Sequence, residues 1–208
     1  MRWIIRLYSH FPYISIRRRQ EGINPPPMIP VGIIGTFDGA EQGGICGGGG
    51  TLTLAHNHFI QFWLGMGQGT NMKAELLALW ALLRIAKDRH IEDLSILGDS
   101  KVIIDWARKK HFLQVNKIFG WSSRTEELIS SFQHIQFQHI YRAHNVTADR
   151  LSKRGLRVAE GHIYLEETHV VGISFRMVCS GLVDGGKCLV LSFSVLSLME
   201  IFYKEQGN

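Results

Sequence analysis

The segment Asn71–Asp105 constrains this chain more than any other. Its first half places Leu76, Leu77, Leu79, Trp80, Leu82, Leu83 and Ile85 nearly all round a predicted helix. Such a helix is buried on more than one side rather than lying amphipathic on a surface. Glu75 stands in its first turn, and the residues three and four positions on, Ala78 and Leu79, carry no charge to pair with it. A carboxylate among apolar residues is costly unless a cation reaches it from elsewhere in the fold. A second acid, Asp99, follows directly on the short apolar strand Leu94–Leu97, where open α/β sheets present functional groups. Two acids brought to the carboxyl end of one sheet point to a metal.

The 208 residues suffice for one domain of ordinary size with tails, and a hydrophobic content of 45% is that of a globular chain. Cys46, Cys179 and Cys188 show no CxxC pairing or metal spacing, as expected of a reduced intracellular protein. The net charge of +5 is uneven: +4 over residues 1–30, +3 over 31–160 and −2 over 161–208. Without Asp38, Glu75, Asp99 and Asp149 the middle segment carries +7. A basic body around a few concentrated acids suits a polyanionic partner. No run reaches the ~18 apolar residues of a membrane-spanning helix, since the longest candidate, Leu189–Tyr203, is interrupted by Glu200.

Residues 1–22 hold five Arg and no acid before Glu21. They read as the end of a larger ancestral protein, or as an organelle transit segment; nucleus or cytoplasm is the expected location, with organelle import the alternative. Pro25–Pro27 and Pro30 form a stiff linker that closes this basic segment at residue 30. Val31–Phe37 predicts a strand ending in Asp38-Gly39, and Gly43–Gly50 a glycine-rich turn before a second strand over Thr51–Ala55. A tight turn at His56–His58 returns a third strand, Phe59–Met66, completing an antiparallel meander. Gly65, Gly67 and Gly69 open a loop to the central helix, with Thr70 or Asn71 as its N-cap. Further helices are predicted over Ser100–Lys110, with a basic end at Arg108–His111, and over Ser122–Phe132, capped by Ser122 or Ser123. A last strand over Ile135–Arg142 leads to a final helix, Val146–Val158, whose first turn holds Asp149. The order βββαβααβα is an α/β domain with a mixed sheet over residues 31–160. Residues 161–208 form a tail to which the sequence assigns no structure.

FDGA at 37–40, TNMKAE at 70–75, GDS at 98–100 and HNVTADRLSKRG at 144–155 together resemble the type-1 ribonuclease H domain. The version most similar is the one associated with non-LTR reverse transcriptases of plant retrotransposons, which the proline linker also resembles. Each motif alone recurs by chance; four acids in this order, each on the matching element, are the specific signal. The resemblance implies a ribonuclease H-like fold with a mixed five-stranded sheet, three antiparallel strands and then parallel ones, flanked by helices. It implies that Asp38, Glu75, Asp99 and Asp149 are catalytic and bind two Mg²⁺ ions, with Mn²⁺ as a substitute. Those ions would activate a water and stabilise the leaving 3′-oxygen as the RNA strand of an RNA–DNA hybrid is cut. Four close carboxylates repel, so at least one pKa should rise, and hard oxygen ligands favour Mg²⁺ over Zn²⁺. The nucleic-acid contacts implied are Gly39, Gly43, Thr70, Asn71, Ser100 and Lys101, with Arg108, Lys109, Lys110 and Lys153 as further sources of phosphate attraction. A monomer with nucleic acid as partner, no small-molecule cofactor and no membrane is expected.

Taken singly, several of these residues have plainer readings. Asp38 before glycine also suits a turn, Asp99 a helix cap, and Asp149 a first-turn acid complementing the helix dipole. Asp105 reads as a helix-surface acid beside Lys101 or Lys109. The chain also departs from the family. Gly43-Gly44-Ile45-Cys46 replaces an Asn-Pro-Gly segment, and Met72 stands where many members have a second Asn. The family's flexible-loop histidine, an aid to product release, has two candidates: His139 by spacing and His144 by its loop position, the better of the two. The alternative to a hybrid-cleaving enzyme is a domesticated or decaying domain that binds nucleic acid with little or no cleavage. An exonuclease or integrase relative fits the TNxxxE context less well.

Overall fold

The computed structural model describes residues 32–109, 119–168, 174–180 and 189–194. The basic segment and linker expected over residues 1–30, and Lys110 and His111 of the expected basic tract, lie outside the described residues. In chain order the elements are β1 (Ile34–Gln42), β2 (Ile45–Ala55), β3 (His58–Gln68), α1 (Asn71–Asp88), β4 (Asp93–Gly98) and α2 (Lys101–Ala107). Then come α3 (Phe119–Ser130), β5 (His134–His139), a 3-10 turn (Arg142–His144), α4 (Val146–Gly155), β6 (His162–Thr168), β7 (Ser174–Ser180) and β8 (Leu189–Ser194).

β1, β2 and β3 form the expected antiparallel meander, and β4 joins the other edge of β1 in parallel, followed by β5. The expected five-stranded mixed sheet is therefore present, but it does not stop at β3. β6, β7 and β8 continue it antiparallel, giving the order β5-β4-β1-β2-β3-β6-β7-β8. An open β3 edge would leave a row of unpaired backbone groups, and β6 satisfies them. It turns Ile163 and Leu165 into the core, and Tyr164 stacks on Trp63 with ring centroids 5.7 Å apart. Glu167 of β6 accepts two hydrogen bonds from Arg89 (2.8 and 2.6 Å) and lies 2.7 Å from His58 Nε2. Arg89, and after it burial opposed by His58, leaves the Glu167 carboxyl down at about 2.

The glycine-rich run is the main correction to the sequence reading. Gly47–Gly50 lie inside β2, and the turn is made instead by Gly43 and Gly44, at φ +61° and +82°. Glycine is required in the strand by its neighbours rather than by its own backbone. A Cβ at Gly49 would stand 2.4 Å from Leu151 C and Ser152 N, and one at Gly47 would stand 2.3 Å from Leu156 N. Side chains alternate across a strand, so Gly47 and Gly49 floor the face on which α4 lies. Gly48, whose Cβ would meet Met66, Leu64 and Ala78, faces α1. Gly39 likewise sits mid-strand rather than at a turn, where a Cβ would be 2.2 Å from Glu75 N. The two helices thus press on opposite faces of the sheet at closer range than any larger residue permits.

Other boundaries shift for local reasons. Thr70 is the α1 N-cap, accepting a hydrogen bond from Lys73 N at 3.3 Å. Gly65 and Gly67 belong to β3, leaving Gly69 in the loop. α3 begins at Phe119, so Ser122 and Ser123 lie within it and are not its caps. α1 is buried as its sequence implies, against the sheet and against α3, where Trp80 meets Trp121 edge-on at 5.2 Å. No helix among the described residues is long and apolar enough to cross a membrane.

Candidate functional site

The β1–β4 pairing sets the site. Phe37 lies opposite Gly98, so Asp38 in the middle of β1 and Asp99 just past the carboxyl end of β4 stand at one level on adjacent parallel strands. Asp38 pairs in register with Gly49 and therefore faces α4, where Ser152 Oγ donates to its Oδ2. Gly39, the next residue, faces α1 and lets that helix approach the β1 backbone, and Gly39 N donates to Glu75 Oε2 at 3.2 Å. An Asp-Gly pair in mid-strand thus gathers one acid from each face of the sheet. Asp149 enters from the first turn of α4, and Ser152 Oγ also lies 2.9 Å from its carbonyl oxygen.

Electrostatics follow from this crowding. Burial, then the charges of Asp38 and Asp99, push the Glu75 carboxyl up to about 9 against the opposing hydrogen bond from Gly39 N. Burial raises Asp38 to about 6, with Asp99 and Asp149 adding and Ser152 opposing. Asp149 behaves differently: burial lifts it, but Lys153 and Arg142 outweigh that and hold it below the usual range. Its two oxygens accept from Arg142 (2.5 Å) and Lys153 (2.6 Å), and the ion pair in turn raises Arg142.

Asp38, Glu75 and Asp99 line one open cleft of about 750 Å³, together with Gly39, Asn71, Arg142, Lys153 and Arg157. Among the described residues no three His, Cys, Asp or Glu side chains already stand close enough to enclose a metal ion. Each acid instead has a protein partner: Ser152 for Asp38, Gly39 N for Glu75, Asn145 for Asp99, and Arg142 with Lys153 for Asp149. The donor chemistry nevertheless fits a hard divalent cation. Asp38 and Glu75 resist ionisation first because they are buried and then because their neighbours are like-charged, and bound cations would offset both penalties.

Of the other expected contacts, Gly39 and Asn71 line the cleft. Thr70 uses its hydroxyl to cap α1. Ser100 precedes α2 without a side-chain cap bond, and Lys101 and Gly43 are exposed outside the lining. His144 is exposed on the 3-10 turn and does not line the cleft, whereas Arg142, two residues earlier, does. His139, at the end of β5, lies 3.2 Å from the Asp99 carbonyl. The sequence reading passed over Arg142, Asn145 and Ser152. Asn145 is only 2% exposed and its Nδ2 donates to Phe37 O at 2.8 Å and to Asp99 Oδ1 at 2.7 Å, fastening β1 to the acid that follows β4. Its signal was the Asn of the 144–155 motif, which has no chemistry of its own to advertise.

Comparison with known proteins places this geometry. A family described as reverse transcriptase-like matches residues 36–155, a stretch that contains all four acids. Among solved structures, the N-terminal RNase H domain of a Mycobacterium tuberculosis protein, fused to maltose-binding protein, is 25% identical. It superposes with a TM-score of 0.57, over 61% of this chain and 99% of that one. RNase H1 from the archaeon Halobacterium salinarum is 27% identical with a TM-score of 0.56, covering 60% of this chain and 96% of its own. LC11-RNase H1, solved in complex with an RNA/DNA hybrid, shares the fold at 20% identity, a TM-score of 0.55, and coverage of 60% and 96%. No curated protein gives a significant match.

Proposed function

The chain belongs to the reverse transcriptase-like family, and we propose that it is a metal-dependent endoribonuclease that cleaves the RNA strand of RNA–DNA hybrids. The observation that carries this reading is the convergence of Asp38, Glu75 and Asp99 on one cleft, with Asp149 on the helix above it. These four residues would hold the divalent ions, Mg²⁺ or Mn²⁺. When bound, such ions polarise the phosphate, lower the pKa of a water and neutralise the departing oxygen.

The chain's own groups do the positioning. Asn145 fixes the rotation of Asp99 by holding one oxygen, and Gly39 N does the same for Glu75. Ser152 orients Asp38. Arg142 and Lys153 lie at the cleft and supply positive charge where a phosphodiester would enter. Each Asp149 oxygen is held by one of these cations and keeps a further lone pair for a metal, and an entering phosphate offers the two cations an exchange partner.

One observation favours the second reading, a nucleic-acid-binding domain with little cleavage: both Asp149 oxygens are engaged by cations of the chain itself. A labelled RNA–DNA hybrid incubated with the full chain and Mg²⁺ separates the two. Cleavage confined to the RNA strand and abolished by Asp99→Asn is expected. Hybrid binding without cleavage in either Mg²⁺ or Mn²⁺ would leave the second reading standing instead.

A further inference from the structure

α4 is polarised. Ala148, Leu151, Ser152 and Gly155 are its buried face, seated on the glycines of β2. Arg150, Lys153 and Arg154 occupy the opposite, exposed face, and Arg157 continues it through a tight turn in which Arg157 N lies 3.2 Å from Arg154 O. Residues three, four and seven apart share one helical stripe, so the four cations are neighbours, and the acid beside them is Asp149, which accepts from Lys153 at 2.6 Å. Arg150 and Arg157 have no side-chain partner among the described residues. The Arg154 guanidinium carbon lies over Trp63, 3.6 Å from the ring centroid, a cation–π contact that positions the group beside the stripe. Lys153 and Arg157 line the same cleft as Asp38, Glu75 and Asp99.

We infer that this stripe is a backbone-tracking surface along which the duplex leaves the acid cleft, its phosphates held by Arg157, Lys153, Arg154 and Arg150. The inference rests on the nucleic-acid reading above and adds to it the part of the surface that carries the substrate. From Arg150 to Arg157 the helical rise covers ~10 Å at ~1.5 Å per residue, the axial span of about three phosphates of one strand. A phosphodiester placed at the acids brings its neighbours on the chain with it, and the rim of the cleft on the α4 side meets them with Lys153, which is paired with Asp149, and with Arg157. The close seat of α4 on Gly47 and Gly49 makes that rim rigid, and this suits a surface that fixes the register of a polymer rather than its sequence.

The test is the salt dependence of binding by the full chain. A fluorescently labelled RNA–DNA hybrid is titrated without divalent metal at several NaCl concentrations, with wild type and with Arg150→Gln/Arg157→Gln. Each phosphate contact contributes about −0.9 to the slope of log K against log salt. The double variant should therefore lose ~2 from the slope and bind ~10-fold or more weakly at moderate salt. Arg150→Lys/Arg157→Lys should keep the slope, and Arg84→Gln, on α1 in a pair with Asp88, should change nothing. With Mg²⁺ present, KM should rise while kcat at saturating hybrid stays. An unchanged slope in the double Gln variant overturns the inference. A wild-type chain that binds the hybrid without cutting it, and whose slope falls in the variant, sustains the α4 surface and sinks the nuclease reading. A wild-type chain that binds no duplex overturns both.

Discussion

Replacing Gly49 by Ala tests how the sheet and the site are joined. The added Cβ would stand 2.4 Å from Leu151 C and Ser152 N, where ordinary contact begins at 3.4 Å, so α4 must retreat by 1 Å or the sheet must bend. The obstacle is backbone, which has no rotamer to yield. Overpacking of this kind costs about 1–3 kcal/mol. The neighbouring Gly48→Ala provides the contrast, since its Cβ at 2.1 Å meets the terminal methyl of Met66, a flexible side chain. Ala is also better suited than Gly to a strand interior by roughly 0.5–1 kcal/mol, so Gly48→Ala should fall within about 1 kcal/mol of wild type. Urea unfolding of the full chain measures both. Cleavage should separate the two further. α4 carries Ser152 and Asp149, and a shift of ~1 Å in catalytic groups costs up to ~100-fold in rate. Equal stabilities for the two variants, or a Gly49→Ala protein that cuts hybrid at the wild-type rate, would refute the claim that α4 is seated by these glycines.

Asn145→Ala should lower cleavage by ~10-fold or more while Asn145→Ala protein retains most of its helix signal, because two donors to Phe37 O and Asp99 Oδ1 are lost without an opening in the apolar core; undiminished Mg²⁺ affinity and rate would contradict this. Glu167→Gln breaks a partly buried pair with Arg89 and should cost about 1–3 kcal/mol, read by urea unfolding. The depressed carboxyl of Glu167 contributes stability that is present above the ordinary carboxylate range and lost as pH falls toward about 2, so the wild-type advantage over the variant should shrink in acid. Glu75 and Asp38 have the opposite sign. Their folded pKa values, about 9 and about 6, lie above the unfolded ones, so their contribution is intact below pH ~4 and lost as pH rises through those values. The metal-free protein should therefore lose several kcal/mol between acid and alkaline pH, and Glu75→Gln should flatten most of that slope; a parallel profile for the two proteins would count against a buried, ionisable Glu75.

The order and type of the elements through α4 were legible because they rest on local signals. Alternation marks β5, turn residues bound β1 and β3, and the apolar surround marks α1, with Thr70 capping it. Glu75 stood out for a related reason, being anomalous within its own helix whatever the fold, whereas Asp38, Asp99 and Asp149 each have a plainer local reading and stood out only through the resemblance. The strand part of the glycine run was not legible, since six glycines in eight residues suggest a turn by composition, and the need for Gly47 and Gly49 comes from α4, about a hundred residues further along. Asn145 was hidden likewise, as its partners are 108 and 46 residues away. β6 was missed because its apolar pair, Ile163 and Leu165, is too short a pattern to outweigh the tail around it. Arg142 was overshadowed by His144, whose chemistry is louder but which is not among the residues lining the cleft.

On the proposed reading, buried and like-charged carboxylates form one pocket that divalent cations would relieve. Thermal unfolding of the full chain at slightly alkaline pH, with Mg²⁺ raised through the millimolar range, tests it most directly. The melting temperature should climb with Mg²⁺ in the wild type, climb far less in Asp99→Asn, and start higher but stay flat in Glu75→Gln. A wild-type curve indifferent to Mg²⁺, or an equal rise in all three proteins, would contradict it.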